Sequence, residues 1–210
     1  MTLAKLNLQH DSDKGDAAHA FAGVSFLNIY ETYFAPIRGR VRTLLEIGIH
    51  KGQSLRLWRD YFPEATIWGL DINPATEIQT SRIQSVIGSQ IDPGALAKVA
   101  PDEDHLDIVI DDGSHVVDHI VKTLAILWPR VSPGGFYVIE DTHATHEDIG
   151  RWSRVWPGQH LNPPETRFAN SRAKFVQAMD ARITNMDRQM GDFAFVHFYP
   201  RVVILKKALL

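Results

Sequence analysis

Apolar positions along the chain fall into short β-rich runs separated by stretches with helical spacing. Residues 43 to 49 (TLLEIGI) read as a strand, 54 to 61 (SLRLWRDY) as a helix, and 66 to 70 (TIWGL) as a second strand running up to Asp71, which makes one βαβ unit. A third strand is predicted over 82 to 87, a short helix near 94 to 99 and a fourth strand over 106 to 110. Residues 116 to 127 carry apolar side chains at helical spacing, Pro133-Gly134-Gly135 breaks that pattern, and a fifth strand follows. Such alternation predicts a doubly wound, mostly parallel sheet. At the C-terminus, 193 to 198 (FAFVHF) and 202 to 206 (VVILK) flank Tyr199-Pro200-Arg201 and read as an antiparallel hairpin on one sheet edge.

Two segments stand outside this pattern. Residues 1 to 40 read as a helical lead-in that could gate a site, with DSDKG at 11 to 15 and an aromatic-rich stretch from Phe21 to Phe34. Residues 142 to 170 hold His143, His146, His160, Trp152 and Trp156 without sustained periodicity, which predicts either a substrate loop or a solvent-exposed loop pinned by its tryptophans. No internal repeat or interdomain linker is visible, so 1 to 210 is expected to be a single domain.

Composition narrows the function. With 22 Lys and Arg against 25 Asp and Glu, the formal net charge is -3, and no basic cluster interleaved with aromatics points to nucleic acid. No run approaches a membrane span and the N-terminus lacks a signal-type apolar block, so a cytoplasmic protein without a membrane partner is expected. The absence of cysteine removes disulfides, thiolate metal sites and cysteine nucleophiles.

The chemistry concentrates in IVIDDGSH (108 to 115) and GGFYVIED (134 to 141), two apolar runs that each end in adjacent carboxylates. As neighbouring parallel strands they deliver Asp111, Asp112, Glu140 and Asp141 to the sheet edge where open α/β folds bind ligands. Clustered carboxylates repel unless a cation sits among them, and a hard divalent ion is the usual remedy. The plainer reading of Asp111-Asp112 is an acidic helix-capping turn.

The first βα turn, Glu46-Ile47-Gly48-Ile49-His50-Lys51-Gly52, has two glycines where a ligand can approach the backbone, but His50 and Gln53 replace two glycines of a dinucleotide fingerprint. By itself it fits any tight strand-to-helix turn. Asp71, 23 residues after Gly48, is near the spacing at which a carboxylate accepts ribose hydroxyls. Glu46, a charge inside an apolar strand, requires a cationic partner, and a positively charged, adenosine-bearing ligand would satisfy both carboxylates.

LLEIGIHKGQSLRLWRDYFP, GLDINP, IVIDDGSH and PGGFYVIED, with the SDKG element, resemble class I S-adenosylmethionine-dependent methyltransferases. More narrowly they resemble the metal-dependent sugar O-methyltransferases of macrolide tailoring, grouped with rhamnosyl O-methyltransferases and cephalosporin hydroxylase proteins. The likeness covers roughly residues 10 to 141, and His50 stands where many relatives have the middle glycine of E-x-G-x-G-x-G.

The resemblance implies a Rossmann-like, seven-stranded fold in which Asp112, Glu140 and Asp141 bind Mg2+ or Mn2+, His115 is the general base and Asp111 sits by the cofactor. Glu46, Gly48, Gly52 and Asp71 would line the cofactor site, while Gln90 and Ile91, after the third strand, would meet the adenine. That last pair also reads as part of a turn closed by Asp92-Pro93-Gly94. The implied reaction methylates one hydroxyl of a vicinal diol, on a deoxysugar of a glycosylated natural product, with homo-oligomeric assembly. A cephalosporin-hydroxylase-like tailoring protein and a catechol-type O-methyltransferase share this logic. A zinc hydrolase using His115 and His119 leaves Glu46, Asp71 and the glycine turn unexplained, and a non-catalytic binding protein leaves the carboxylates unexplained. His119 otherwise reads as a packing residue or one that orients a ligand.

Overall fold

A computed structural model of the chain describes residues 1–15, 23–103, 105–146, 171–188 and 191–209. The lead-in supplies α1 (Leu3–His10) and α2 (Phe26–Phe34), the second opened by a reciprocal capping box between Ser25 and Asn28. The alternating body follows as β1 (Thr43–Ile47), α3 (Gln53–Tyr61), β2 (Thr66–Asp71), β3 (Ile83–Ile87), the single turn α4 (Pro93–Leu96), β4 (Leu106–Asp111), α5 (Val117–Leu127) and β5 (Val131–Ile139). A long helix α6 (Arg172–Asp187) precedes the hairpin of β6 (Phe193–Tyr199) and β7 (Val202–Lys207).

The seven strands lie in the order β3-β2-β1-β4-β5-β7-β6, with β1 to β5 parallel and the last two antiparallel. The strand order reverses between β1 and β4, and ligands of such sheets bind beyond the carboxyl ends at that point. The doubly wound expectation therefore holds, as does the hairpin.

Two layers cover the sheet, and the period of two along each strand decides which residue faces which. Leu44, Ile108, Ile110, Phe136 and Val138 pack with α1, α2 and α3, where Phe26, Tyr30 and Phe34 form an i, i+4, i+8 stripe. Leu45, Ile47, Val109, Tyr137 and Ile139 pack with α5 and α6 on the other side. This parity governs the site: Glu46, Asp112 and Glu140 continue the set that faces the lead-in, whereas Asp111 continues the opposite one.

Some boundaries differ from the sequence reading. β1 stops at Ile47 because Gly48, at φ 93°, turns the chain. β5 starts at Val131 and runs through Pro133-Gly134-Gly135, a tract whose composition predicts a break before the strand; the register with β4 shifts there instead. The segment predicted over 142 to 170 opens with a 3-10 helix at Thr142–His146; Trp152, Trp156 and His160, like His19 in the lead-in, lie outside the described residues. No helix among the described residues is long and apolar enough to cross a membrane.

Candidate active site

The carboxyl ends of β1, β4 and β5 bring three carboxylates onto one lysine. Lys14, on the 3-10 turn Asp13–Gly15, is 2% exposed, and its Nζ lies 3.0 Å from Glu46 Oε1, 2.8 Å from Asp112 Oδ2 and 2.8 Å from Glu140 Oε1. The contacts to Asp112 Oδ2 and Glu140 Oε2 are aligned hydrogen bonds, whereas Glu46 Oε1 has ion-pair distance without that alignment. Tyr30, fully buried on α2, donates to Glu140 Oε1 at 2.6 Å, and Trp58 Nε1 donates to Glu46 Oε2 at 3.0 Å.

Burial and the neighbouring Asp112 and Glu46 charges push the Glu140 carboxyl well above its ordinary range, against the pull of Lys14. Burial likewise raises Glu46. Burial alone would lower the Lys14 ammonium, but the Asp112, Glu140 and Glu46 charges outweigh it and raise it.

Nearer solvent, Asp112, His115 and Asp141 form a second group whose oxygens and imidazole nitrogen lie within 4.8 Å of one another. His115 Nε2 is 3.9 Å from Asp112 Oδ1. His115 and Asp141 both hold left-handed backbone, φ 55° and 50°, a conformation that costs free energy outside glycine and recurs where side chains are aimed at a site. Arg201, at the tip of the β6–β7 hairpin, donates through Nη2 to Asp141 Oδ1 at 3.1 Å, and its backbone carbonyl accepts from Thr142 N at 3.0 Å.

Asp112, Glu140 and Asp141 line one cleft with Asp13, Lys14 and Phe26. Hard carboxylate oxygens beside one imidazole are a donor set that suits a divalent cation, so the residues fit the metal the sequence implied.

The adjoining cleft lies over the first βα turn, with Gly48, Ile49, His50 and Ser54 in its wall beside Lys14 and Asp112. A Cβ on Gly48 would run into the backbone carbonyl oxygen of Asp112, so glycine is required there by space as well as by φ. His50, the departure from the glycine pattern, takes φ 49° and so supplies the left-handed step with a side chain attached. Asp71 Oδ2 accepts from Ile49 N at 2.8 Å and His50 N at 3.3 Å, which ties the end of β2 to this turn.

On the opposite face of the sheet, Gln90 is buried, and its amide is engaged by Asp111 Oδ1 at 3.1 Å, Thr123 Oγ1 at 3.2 Å and Ser114 N at 2.8 Å. Burial pushes the Asp111 carboxyl up to about 6, opposed by His115 and by its hydrogen bonds.

Comparison with known proteins gives this constellation its relatives. No family model matches the chain. It is 32% identical over 98% of its length to 8-demethyl-8-alpha-L-rhamnosyl tetracenomycin-C 2'-O-methyltransferase of Streptomyces olivaceus, covering 54% of that protein. To demethylmacrocin O-methyltransferase of Streptomyces fradiae it is 40% identical over 61% of its length, covering 32% of the relative.

A solved structure of MycE methyltransferase from the mycinamycin biosynthetic pathway, in complex with Mg, SAH and mycinamycin VI, superimposes with a TM-score of 0.74 at 29% identity, covering 99% of this chain and 55% of that one. The chain is a homologue of sugar O-methyltransferases. It has their Rossmann-like methyltransferase fold, and it spans about half the length of the first of the curated relatives it matches.

Within this homologue, the predicted metal residues Asp112, Glu140 and Asp141 and the predicted base His115 come together at the ends of β4 and β5. Gly48 and Gly52 shape the turn, both at positive φ. Other predicted residues have contacts within the protein. Glu46 is fully buried and pairs with Lys14 from the lead-in. The Gln90 amide braces Asp111 and Ser114, and Ile91 beside it is half-buried. Asp71 holds the turn through its side chain as well as standing at the spacing for a ribose. His119 is buried against Ser114 Oγ at 2.9 Å and belongs to neither metal-capable group of three found among the described residues. Local sequence patterns assign no defined role to Lys14 and do not mark Tyr30 or Arg201, whose importance arises from tertiary placement.

Proposed function

We propose that this chain carries a metal-dependent, S-adenosylmethionine-dependent O-methyltransferase activity on one hydroxyl of a vicinal diol, on a deoxysugar of a glycosylated natural product. The observation that supports this best is the meeting of Asp112, His115 and Asp141 within 4.8 Å beside the Gly48 turn, with Glu140 behind them. Asp112, Glu140 and Asp141 would hold Mg2+ or Mn2+. Gly48, Gly52, Asp71, Asp111 and Ile91 would border the cofactor, with Glu46 and Gln90 bracing the walls.

When bound, the cation supplies Lewis acidity to a substrate hydroxyl and S-adenosylmethionine supplies the methyl group. The residues provide the rest. His115, close to Asp112, would take the substrate hydroxyl proton as general base. Asp112 and Asp141 favour the imidazolium that results. The Gly48 backbone admits the cofactor closely, and Asp71 keeps that turn in place.

Methyl transfer from labelled S-adenosylmethionine to rhamnosyl glycosides and to catechols, with Mg2+ and with chelator, tests the reading. Chelator-sensitive transfer to the sugar, lost in His115→Ala, is expected. Transfer to catechol alone would replace the sugar with an aromatic diol, and chelator-resistant transfer would remove the metal.

A further inference from the structure

Lys14 occupies the point at which a cation would be sought. One oxygen from each of Glu46, Asp112 and Glu140 lies within 4.8 Å of the others, and the ammonium stands 3.0, 2.8 and 2.8 Å from them. It is carried by a three-residue turn whose Asp13 and Gly15 are exposed, held to α1 by hydrogen bonds between Asn7 and the Ser12 backbone at 2.9 Å each. The same lysine borders both the metal-residue cleft and the cofactor-turn cleft. Tyr30 grips Glu140 Oε1 independently at 2.6 Å, so the carboxylate keeps one anchor without the ammonium.

We propose that Lys14 is a placeholder cation and positioning residue. It keeps Asp112 and Glu140 convergent, and a divalent ion bound to them takes over its charge and releases the Asp13–Gly15 turn, opening both clefts together. The inference rests on the reading of Asp112 and Glu140 as metal ligands. An ammonium and a dication crowded onto the same carboxylate oxygens repel strongly in a poorly solvated site, whereas either alone offsets the repulsion among the acids. The turn carries the lysine through short-range hydrogen bonds, Gly15 N to Ser12 O at 3.1 Å and Lys14 N to Ser12 Oγ at 3.4 Å, which travel with it if it moves.

The test uses the full chain and Mn2+ alone, with free ion measured by electron paramagnetic resonance and amide exchange over residues 1–15 followed by mass spectrometry. Lys14→Met is expected to bind Mn2+ at least about tenfold more tightly than the native chain, while Lys14→Arg gains nothing, because a retained buried cation must still be displaced. In the native chain, saturating Mn2+ should speed exchange at Lys14 and Gly15 severalfold.

If Mn2+ binds without changing that exchange, Lys14 is a fixed structural counter-ion and the proposal falls; this arm needs no variant, so a poorly folding Lys14→Met does not obscure it. Equal Mn2+ affinity in the native chain and in folded Lys14→Met would also overturn it. Failure of all three folded proteins to bind Mn2+ would overturn the metal reading itself.

Discussion

Arg201 Nη2 donates to Asp141 Oδ1 at 3.1 Å, joining the tip of the C-terminal hairpin to the end of β5. The contact explains how Asp141 holds its left-handed backbone, since the Arg201 carbonyl also takes the next amide, Thr142 N, at 3.0 Å. Arg201→Ala is expected to lower the melting temperature by about 2–4 °C, the effect of roughly 1 kcal/mol in a chain of this size. Scanning calorimetry checks this, and an unchanged melting temperature would show that the hairpin does not support Asp141.

Tyr30→Phe removes the hydroxyl that satisfies Glu140 Oε1 inside the protein while leaving the ring stacked on Phe34 at 5.3 Å. Loss of a hydrogen bond to a buried charged acceptor is expected to destabilise the chain by about 1.5–3 kcal/mol. Urea denaturation measures it, and a change within about 0.5 kcal/mol, as at ordinary surface positions, would mean that Lys14 alone satisfies Glu140.

Gly48→Ala combines a forbidden φ of 93° with a collision against the Asp112 carbonyl. It should abolish S-adenosylhomocysteine binding in calorimetry, with Gly39→Ala, where a Cβ meets open space, as a control that leaves binding intact. Undiminished binding in Gly48→Ala would remove this turn from the cofactor site.

Burial lowers the His119 pKa from the ordinary 6.5, so the folded chain resists protonating a ring that the unfolded chain protonates freely. The sign follows: its contribution to stability is present above pH 6.5 and is lost as pH falls below it toward the folded value. His119→Gln, which retains a polar group for Ser114, should flatten the fall in stability between pH 6.5 and acid relative to the native chain. Identical slopes in denaturant titrations would show that His119 is not the group responsible.

The carboxylate set was legible because strands buried on both faces leave continuous apolar runs, and a charge pair at the end of each run stands out. Strand period then separates Asp111 from Asp112, sending one toward Gln90 and Tyr137 and the other toward Lys14. Lys14 itself was not legible as a cation for the site: two of its partners, Asp112 and Glu140, lie 98 and 126 residues away, and nothing in a local pattern marks such a pairing. Helix α6 escaped for a different reason. Phe175 and Met179 are its buried apolar side chains, too narrow a stripe to show helical periodicity against its polar residues.

A cofactor and metal site at the ends of β1, β4 and β5 is open to titration of S-adenosylhomocysteine by calorimetry, first with Mg2+ and then with excess chelator. Saturable binding at one site per chain is expected, together with an Mg2+ heat that disappears in Asp112→Ala. No binding of S-adenosylhomocysteine under either condition by a folded chain would contradict it.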